Sequence, residues 1–344
     1  MKRLYILTLC SVALAAWIFF FKKRSPTTIA AGHGLVVPKE WLQSNPRPLT
    51  PTADLRPADQ TFLTYPEWYL VFSPEEQANY FKEHTASTFP FMSNTAQIWQ
   101  GYRIVNDQIK DNFPTNYGYH FMIWVIGSSC SVEYSIKAWY ETLIGRITDT
   151  GYPLTGEDRF NAKFTQAYVD FIKDRPWYEF DFKRQFKDLW STTSFWGNNF
   201  ARKMERRYIL SSELLVKYAY GKIIGFGTRQ TYDVALPTTA VVLDNDSLLY
   251  LPRYDRFAAA AAAIAKEGHS FQEIAGNRSA ILVTVLVPST RGISAREGQL
   301  VFKQPIASDP STVRMALVVP VASLSTLLNQ LDSDKVHIEH VFDY

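Results

Sequence analysis

Glu67 is the acidic residue whose neighbours in the sequence are best suited to acid–base chemistry. It lies in the stretch TFLTYPEWYLVF at 61–72, in which five of the twelve residues are aromatic. A carboxyl group held among these rings would have a raised pKa and could donate or accept a proton. The alternative is structural. Pro66 suits the first position of a helix, and Glu67 would then accept backbone N–H groups at that helix start or pair with an arginine. We favour the structural alternative and keep Glu67 as a catalytic candidate.

Glu133 and His120 are the other candidates for acid–base chemistry, and both fall in one predicted helix. More than three helical turns separate them, so they cannot bind one metal ion from that helix alone. Lys137 follows Glu133 by four residues, an arrangement that favours a local ion pair. His120, at the start of the helix, is more typical of a packed or surface histidine than of a ligand. Together with Glu67 they form the candidate catalytic set.

A run of basic residues suggests anion binding. Arg202 and Arg206, and Lys203 and Arg207, are like-charge pairs four residues apart, which destabilise a helix unless an anionic group compensates. Acidic residues on a neighbouring helix are one such group. The phosphate of a lipid headgroup or of another anionic ligand is the other. These four residues form the candidate anion-binding site.

Motifs of common enzyme classes are absent from the sequence. It contains no H-E-x-x-H or E-x-x-H pattern, and the glycines at 221–228 fit neither a P-loop nor a dinucleotide-binding motif. No serine lies in a G-x-S-x-G elbow. The two cysteines, Cys10 and Cys130, cannot form a zinc cluster or a disulfide framework. We therefore predict no metal site and no cofactor.

The composition is that of a folded protein whose two halves are built differently. Of 344 residues, 47% are hydrophobic, 20% are charged and 15% are aromatic. Seven of the nine tryptophans lie between Trp68 and Trp196, and none follows. The net charge of +3 is too small to demand a nucleic-acid partner, so we expect none.

The N-terminal segment predicts a membrane anchor. Residues 4–21, LYILTLCSVALAAWIFFF, carry no charge and are bracketed by basic residues at 2–3 and 22–24. As a helix they would span about 27 Å, close to the thickness of a bilayer's hydrocarbon core. The bulky residues at the end of the run make a poor cleavage site, so we expect an uncleaved single-pass transmembrane helix behind a short tail, 1–3. The brevity of that tail favours the non-cytoplasmic side for the body.

A tether and a helical domain are predicted next. Residues 22–60 are proline-rich, which favours an extended tether. From 61 to 228 the pattern is helical, with starts at Ser73-Pro74-Glu75-Glu76 and at Thr155-Gly156-Glu157-Asp158. The uncharged stretch at 121–132 is too short to cross a bilayer and predicts a buried central helix. We expect an aromatic-rich helical bundle in which the rings form the core.

The last part of the chain, 229–344, has a different pattern. Short β-type runs begin near Val241 and recur to the end, with an alanine-rich helix after Asp255 and a second helix at 323–331. This order predicts an α+β domain, and we expect a ferredoxin-like sandwich with an inserted hairpin. The fold class is therefore α+β, with a two-domain body behind one transmembrane helix.

These features favour a single-pass membrane protein that binds or scaffolds other components at the cell envelope without chemistry of its own. Its expected partners are the membrane, other envelope proteins and anionic lipid. The alternative is an enzyme or carrier for an apolar or lipid-like ligand that bears a phosphate. That ligand would lie in the aromatic helical domain, and the sequence leaves enzymatic activity undecided.

Overall fold

The computed structural model describes residues 29–30, 37–41, 47–151, 153–231, 237–292 and 298–344. The predicted anchor at 4–21 lies outside these residues. Among the helices that these residues form, none has both the length and the apolar content needed to cross a membrane.

The N-terminal part of the described chain is helical, as the sequence predicts. Its helices are α1 Gln60–Phe81, α2 Phe91–Ile109, α3 Tyr117–Tyr140, α4 Gly156–Ile172, α5 Phe182–Thr192 and α6 Phe200–Thr231. α3 continues through a π-helical turn, Glu141–Gly145, and a last turn, Arg146–Thr148. The helix start predicted at Thr155 is confirmed, because Thr155 and Asp158 form a reciprocal capping box.

The two proline-based helix starts predicted at Pro66 and Ser73 are wrong. Both prolines, Pro66 and Pro74, lie inside the single helix α1, which begins at Gln60. A proline inside a helix costs about 3 kcal/mol, because it removes one hydrogen bond and crowds the preceding turn. Sixteen of the 22 residues of α1 are buried, so tertiary packing offsets that cost. Glu67 is therefore a mid-helix residue and not a helix-start acceptor.

The helix predicted at 121–132 exists as part of α3, but it is not buried at the centre of the bundle. The inward side of α3 is a narrow stripe of Ile123, Gly127, Ser131 and Tyr134. Ser131 accepts a hydrogen bond from the Trp99 indole of α2 at 2.9 Å. Four of the eight apolar residues of 121–132, namely Phe121, Trp124, Val125 and Val132, are exposed. The apolar character of a segment therefore does not by itself show that the rest of the protein buries it.

The C-terminal part contains antiparallel sheets and two helices, which confirms the α+β class. Its elements, together with a strand β1 that precedes α1, are β1 Ile29–Ala30, β2 Thr238–Leu243, β3 Leu248–Pro252, α7 Asp255–Lys266, β4 Phe271–Ile274, β5 Ala280–Pro288, β6 Gln299–Ile306, β7 Asp309–Pro320, α8 Leu324–Ser333 and β8 His337–Val341.

The strands form two sheets, so the expectation of one ferredoxin-like sheet is wrong. Five strands are ordered β1-β6-β7-β5-β8, and three are ordered β3-β2-β4. Each helix joins two strands that flank a third: α7 links β3 to β4 around β2, and α8 links β7 to β8 around β5. The sequence therefore predicted the order of strands and helices. It did not predict the pairing of strand edges, because that pairing depends on contacts between residues distant in sequence.

The described residues of the predicted tether, 22–60, pack against the body instead of standing away from it. Ile29–Ala30 pairs with β6. Val37 is buried, and its N–H donates to the side chain of Gln108 at 3.4 Å. Thr50 donates to Glu273 in β4 from both its N–H and its hydroxyl, each at 2.8 Å. Prolines favour extended chain, and extended chain can also lie along a protein surface.

α1 joins the helical part to the five-stranded sheet. Tyr65 of α1 packs its ring 4.9 Å from that of Phe302 in β6, inside a core that also contains residues of α2, β5, β7 and the C-terminal end. The Tyr65 hydroxyl donates to Gln304 in β6 at 2.8 Å. The two predicted domains thus share one hydrophobic core.

Arg314 of β7 is the buried charge within this junction. It is 1% exposed, and its guanidinium donates to Glu339 of β8 at 2.7 Å and to Glu76 of α1 at 3.1 Å. The same group lies 4.4 Å from the centre of the Phe72 ring. Burial raises the pKa of Glu76 to about 7, although Arg314 opposes that rise. One guanidinium therefore pairs with a carboxylate from the helical part and with a carboxylate from the sheet part.

Replacing this arginine by leucine should destabilise the whole fold. Arg314→Leu leaves Glu76 and Glu339 buried without a cation, and removing one partner of a buried ion pair costs about 3–5 kcal/mol. Denaturant unfolding of the full chain in detergent, followed by circular dichroism, measures the loss. Arg291→Leu is the control, because Arg291 is exposed and contacts a backbone carbonyl. Its expected change is within about 0.5 kcal/mol. Equal effects of the two substitutions would contradict a central role for Arg314.

Candidate functional site

Exposed apolar side chains are concentrated on one side of the helical part. Among the described residues, 24 large hydrophobic side chains are exposed, and 20 of them lie within 117–147 or 190–226. Soluble surfaces scatter such residues singly, whereas a contiguous patch marks a binding surface. This concentration is the most distinctive feature of the described surface.

Most of these residues belong to α3 with its continuation and to α6. We call them the α3–α6 face. Its members are Tyr117, Phe121, Trp124, Val125, Val132, Ile136, Trp139, Leu143, Ile144 and Ile147 on the first helix and Phe200, Met204, Tyr208, Leu215, Val216, Tyr220, Ile223 and Phe226 on the second. On each helix they recur mostly at intervals of three and four residues, so they line one side of it. From 117 to 147 the face is about 45 Å long.

The α3–α6 face carries almost no charge. Within 117–147 and 200–226, Arg146 and Lys222 are the exposed residues that carry one, and both are cations. By contrast, α4 exposes Arg159, Lys163 and Asp170 on its outer side. The apolar surface of the helical part is thus concentrated on one side, and the neighbouring helix α4 is charged.

α3 and α6 run antiparallel, held by a quartet of ion pairs. Lys137 binds Glu213 at 2.8 Å and Glu133 at 3.0 Å, and Lys217 binds Glu213 at 3.0 Å and Glu133 at 3.1 Å. One turn further along, the Tyr140 ring is stacked on that of Tyr208. Higher numbers on α3 therefore meet lower numbers on α6, which places the two apolar stripes side by side.

The pKa shifts of Glu133, Glu213 and Lys217 favour their charged forms. Burial alone would raise the pKa of Glu213, but Lys137 and Lys217 outweigh it and lower that pKa to about 2. The same lysines lower the pKa of Glu133 against the effect of its burial. Lys217 is mostly covered, yet Glu133 and Glu213 raise its pKa well above the usual value. Two cations and two anions are thus neutralised together between the helices.

A second ion cluster fixes the other end of the helix pair and contains the predicted anion-binding arginines. Arg202 donates to Asp158 at 2.8 Å, and Arg206 donates to both oxygens of Glu141 in the π-helical turn, at 2.8 and 2.9 Å. Glu205 accepts from both arginines.

Arg207 is likewise paired inside the protein. It donates to Glu157 at 2.8 Å and to the hydroxyl of Thr193, also at 2.8 Å. All three arginines are buried, so acids on neighbouring elements compensate the run, which was the structural alternative. Lys203 is partly exposed and donates to the carbonyl of Trp196 at 2.9 Å. A phosphate could reach the arginines only by displacing their carboxylates.

Glu67 lies at the junction of α1 and α3. Its carboxylate accepts a hydrogen bond from the hydroxyl of Tyr119, which also contacts Thr64 at 2.9 Å. Burial raises the pKa of Glu67, while the Tyr119 hydrogen bond and the charge of Arg253 lower it. The raised pKa expected for this residue is therefore present, and its direct partner is a tyrosine.

The structure does not bring the three catalytic candidates together. His120 lies beside Tyr119, but its Nδ1 contacts the Tyr102 hydroxyl at 2.9 Å, and burial lowers its pKa. Glu133 lies about 20 Å further along α3, inside the ion quartet. Two surface cavities are lined by residues of the sheet part and of 41–56, and neither reaches Glu67, His120 or Glu133.

Sequence reasoning missed the α3–α6 face although its residues were visible. The intervals of three and four along 117–147 indicate a helix with one apolar side. Such a side usually faces the core of the protein, so its residues were interpreted as core residues. The sequence did not show that a different side of α3, the stripe that contains Gly127 and Ser131, is the one buried against the protein. Small residues, Gly127 and Ser131, already let α3 approach the ring of Trp99 closely. Those small residues were the available sign of which side faces inward.

The chain matches no protein-family model, no curated protein and no solved structure. Function has therefore to be inferred from the chemistry and geometry of its own side chains.

The ion quartet predicts how stability depends on pH. The pKa of Glu213 is lowered to about 2 in the folded protein, against about 4.5 when it is unpaired. A lowered pKa means that the unfolded chain binds the proton more readily. The contribution to stability is thus complete above pH 4.5 and is lost as the pH falls towards 2. Glu213→Gln should flatten the acid limb of the free energy of unfolding by up to about 1.4 kcal/mol per pH unit.

The matched control is Glu83→Gln, because Glu83 is exposed and forms no ion pair with a described residue. Unfolding in denaturant at several pH values between 2 and 6 provides the comparison. An acid limb as steep in Glu213→Gln as in the control would contradict the ionised quartet.

Proposed function

We propose that this protein is a membrane-anchored binding component without covalent chemistry of its own, whose body lies with the α3–α6 face in the lipid of the membrane that holds its anchor. The observation that carries the proposal is the face itself, with 18 exposed apolar side chains on two adjacent helices. A surface of this kind costs free energy in water and gains it against hydrocarbon.

The chemistry of the face favours lipid as its occupant. Trp and Tyr are suited to the boundary between hydrocarbon and water, and they stand here among aliphatic residues. The exposed charges on the face are cations, which suit a membrane surface that carries anionic lipid. The chain also begins with an apolar stretch, 4–21, long enough to span a bilayer. An anchor in the same chain would keep the face beside a membrane at all times.

The one-sided distribution favours an orientation in the membrane plane. A body that crossed the bilayer would expose Arg159, Lys163 and Asp170 of α4 to hydrocarbon, at a cost of a few kcal/mol each. Lying on the surface, the same body keeps α4 in water and covers α3 and α6. Because α1 shares its core with the five-stranded sheet, the sheet part would then be held in a fixed orientation at the membrane. Such a part is available to bind other envelope components.

An acyl-chain quencher tests this seating in the full chain. The two cysteines, Cys10 and Cys130, are replaced by serine, and one new cysteine at Ile136 or Val216 carries an environment-sensitive fluorophore. In vesicles whose phospholipids bear nitroxide groups on their acyl chains, the fluorescence should be quenched severalfold more strongly than from a cysteine at Lys335. Lys335 is exposed and follows α8.

Equal quenching at the face and at Lys335 would overturn the lipid proposal. A blue-shifted but unquenched fluorophore at Ile136 would also overturn it. That result would mean that protein covers the face, either a second copy of the chain or another envelope protein.

A further inference from the structure

We infer that two lysines of α5, which border the α3–α6 face, bind the phosphate groups of anionic phospholipids. The inference rests on the proposed seating of that face in lipid, and it names the lipid class that the seating selects. The sequence suggested the arginines of α6 as the site for anionic lipid, and we now assign that role to the lysines of α5.

α5 is an amphipathic helix packed on α6. Its buried residues, Phe182 and Leu189, belong to one core cluster with Leu210 and Leu214 of α6. Its exposed side carries Lys183, Arg184, Lys187 and Trp190. The cations of α5 are therefore held on the outside of the protein by a rigid helix.

The position of Trp190 ties this helix to the edge of the face. Its indole N–H donates to Ser211 of α6 at 3.1 Å. Ser211 lies one turn from both Tyr208 and Leu215, which are members of the face. Trp190, itself half exposed, thus extends the apolar surface sideways onto α5.

Lys183 and Lys187 continue the line that Trp190 begins. The three residues are spaced by four and three positions, so they lie above one another on the same side of α5. Trp177, which precedes α5, stacks on Tyr220 of α6, whereas Trp190 contacts Ser211, so α5 runs antiparallel alongside α6. This lysine stripe, Lys183 and Lys187, therefore follows the border of the face. When an apolar surface enters the headgroup region, cations along its border are within reach of phosphate groups.

The charges of the two lysines are not compensated by carboxylates of the described residues. Neither forms an ion pair with any residue that the structure describes, whereas Arg202, Arg206 and Arg207 are buried against carboxylates. Arg184, beside the stripe, reaches Asp188 at 3.7 Å in an exposed pair. The long flexible stem of lysine can place its ammonium at a headgroup while the methylene groups cover apolar surface. Uncompensated cations at this level attract anionic lipids.

Local lipid composition around the protein provides the test. A fluorophore on Ser191→Cys, in the full chain with Cys10 and Cys130 replaced by serine, reports quenchers near α5. The chain is reconstituted in phosphatidylcholine containing equal trace amounts of nitroxide-labelled phosphatidylglycerol or nitroxide-labelled phosphatidylcholine. We expect at least about twofold stronger quenching by the anionic lipid, with a difference that shrinks as salt rises.

Charge variants identify the residues responsible. Lys183→Glu with Lys187→Glu should abolish the preference, and Lys183→Gln with Lys187→Gln should reduce it to near that level. Lys82→Glu with Lys335→Glu makes the same change in net charge on two exposed residues, one just after α1 and one in the turn after α8, and should leave the preference unchanged. Circular dichroism melting checks that each variant is folded.

Three outcomes would overturn the inference. The first is equal quenching by the two lipids. The second is a preference that survives the α5 substitutions. The third is a preference removed by inorganic phosphate but not by chloride at the same ionic strength, which would indicate a site for free phosphate. If the Ile136 fluorophore is quenched by acyl-chain nitroxide while no anionic preference is found, the seating stands and the α5 inference fails.

Discussion

The mutual neutralisation of lysine and glutamate between α3 and α6 is the interaction on which the candidate surface depends. Lys137, Lys217, Glu133 and Glu213 satisfy one another between the helices, and Glu141 and Glu205 are bound by arginines at one end. Every acid of the two helices is thereby paired with a cation, and only Glu133 among these four acids keeps about a third of its side chain exposed. An uncompensated carboxylate on the outer side would oppose contact with hydrocarbon or anionic lipid. The internal ion pairs thus allow an apolar exterior on helices that contain many charges.

A second set of buried charges fixes this surface relative to the sheets. Arg314 binds one carboxylate from α1 and one from β8, while Tyr65 and Phe302 pack across the same junction. α1 therefore touches both α3, which carries part of the face, and the five-stranded sheet. Motion of one part relative to the other would leave a carboxylate or a guanidinium buried without its partner, which is costly in a water-poor interior. We therefore expect the helical part and the sheet part to move together.

Local signals in the sequence predicted the elements, and their failures have a common cause. The capping residues at Thr155, the alanine-rich helix α7 and the strands from β2 to β8 follow from short-range chemistry. Pro66 and Pro74 misled because the packing of α1 offsets their local cost. The apolar stretch of α3 also misled, whereas the arginines of α6 follow the structural alternative that the sequence left open. The apolar stretch is outside and the charges are inside, because the partners of each residue lie far away in sequence.

Photolabelling of the unmodified chain with a phospholipid that carries a diazirine in its acyl chain tests the central claim most directly. The carbene formed on illumination inserts into whatever the lipid touches, and peptide mapping then locates the adducts. The seating predicts adducts in 117–147 and 200–226 and none in β3, where Leu248, Leu249 and Tyr250 are exposed apolar residues of the sheet part. Adducts confined to 4–21, or equally frequent in β3, would contradict it.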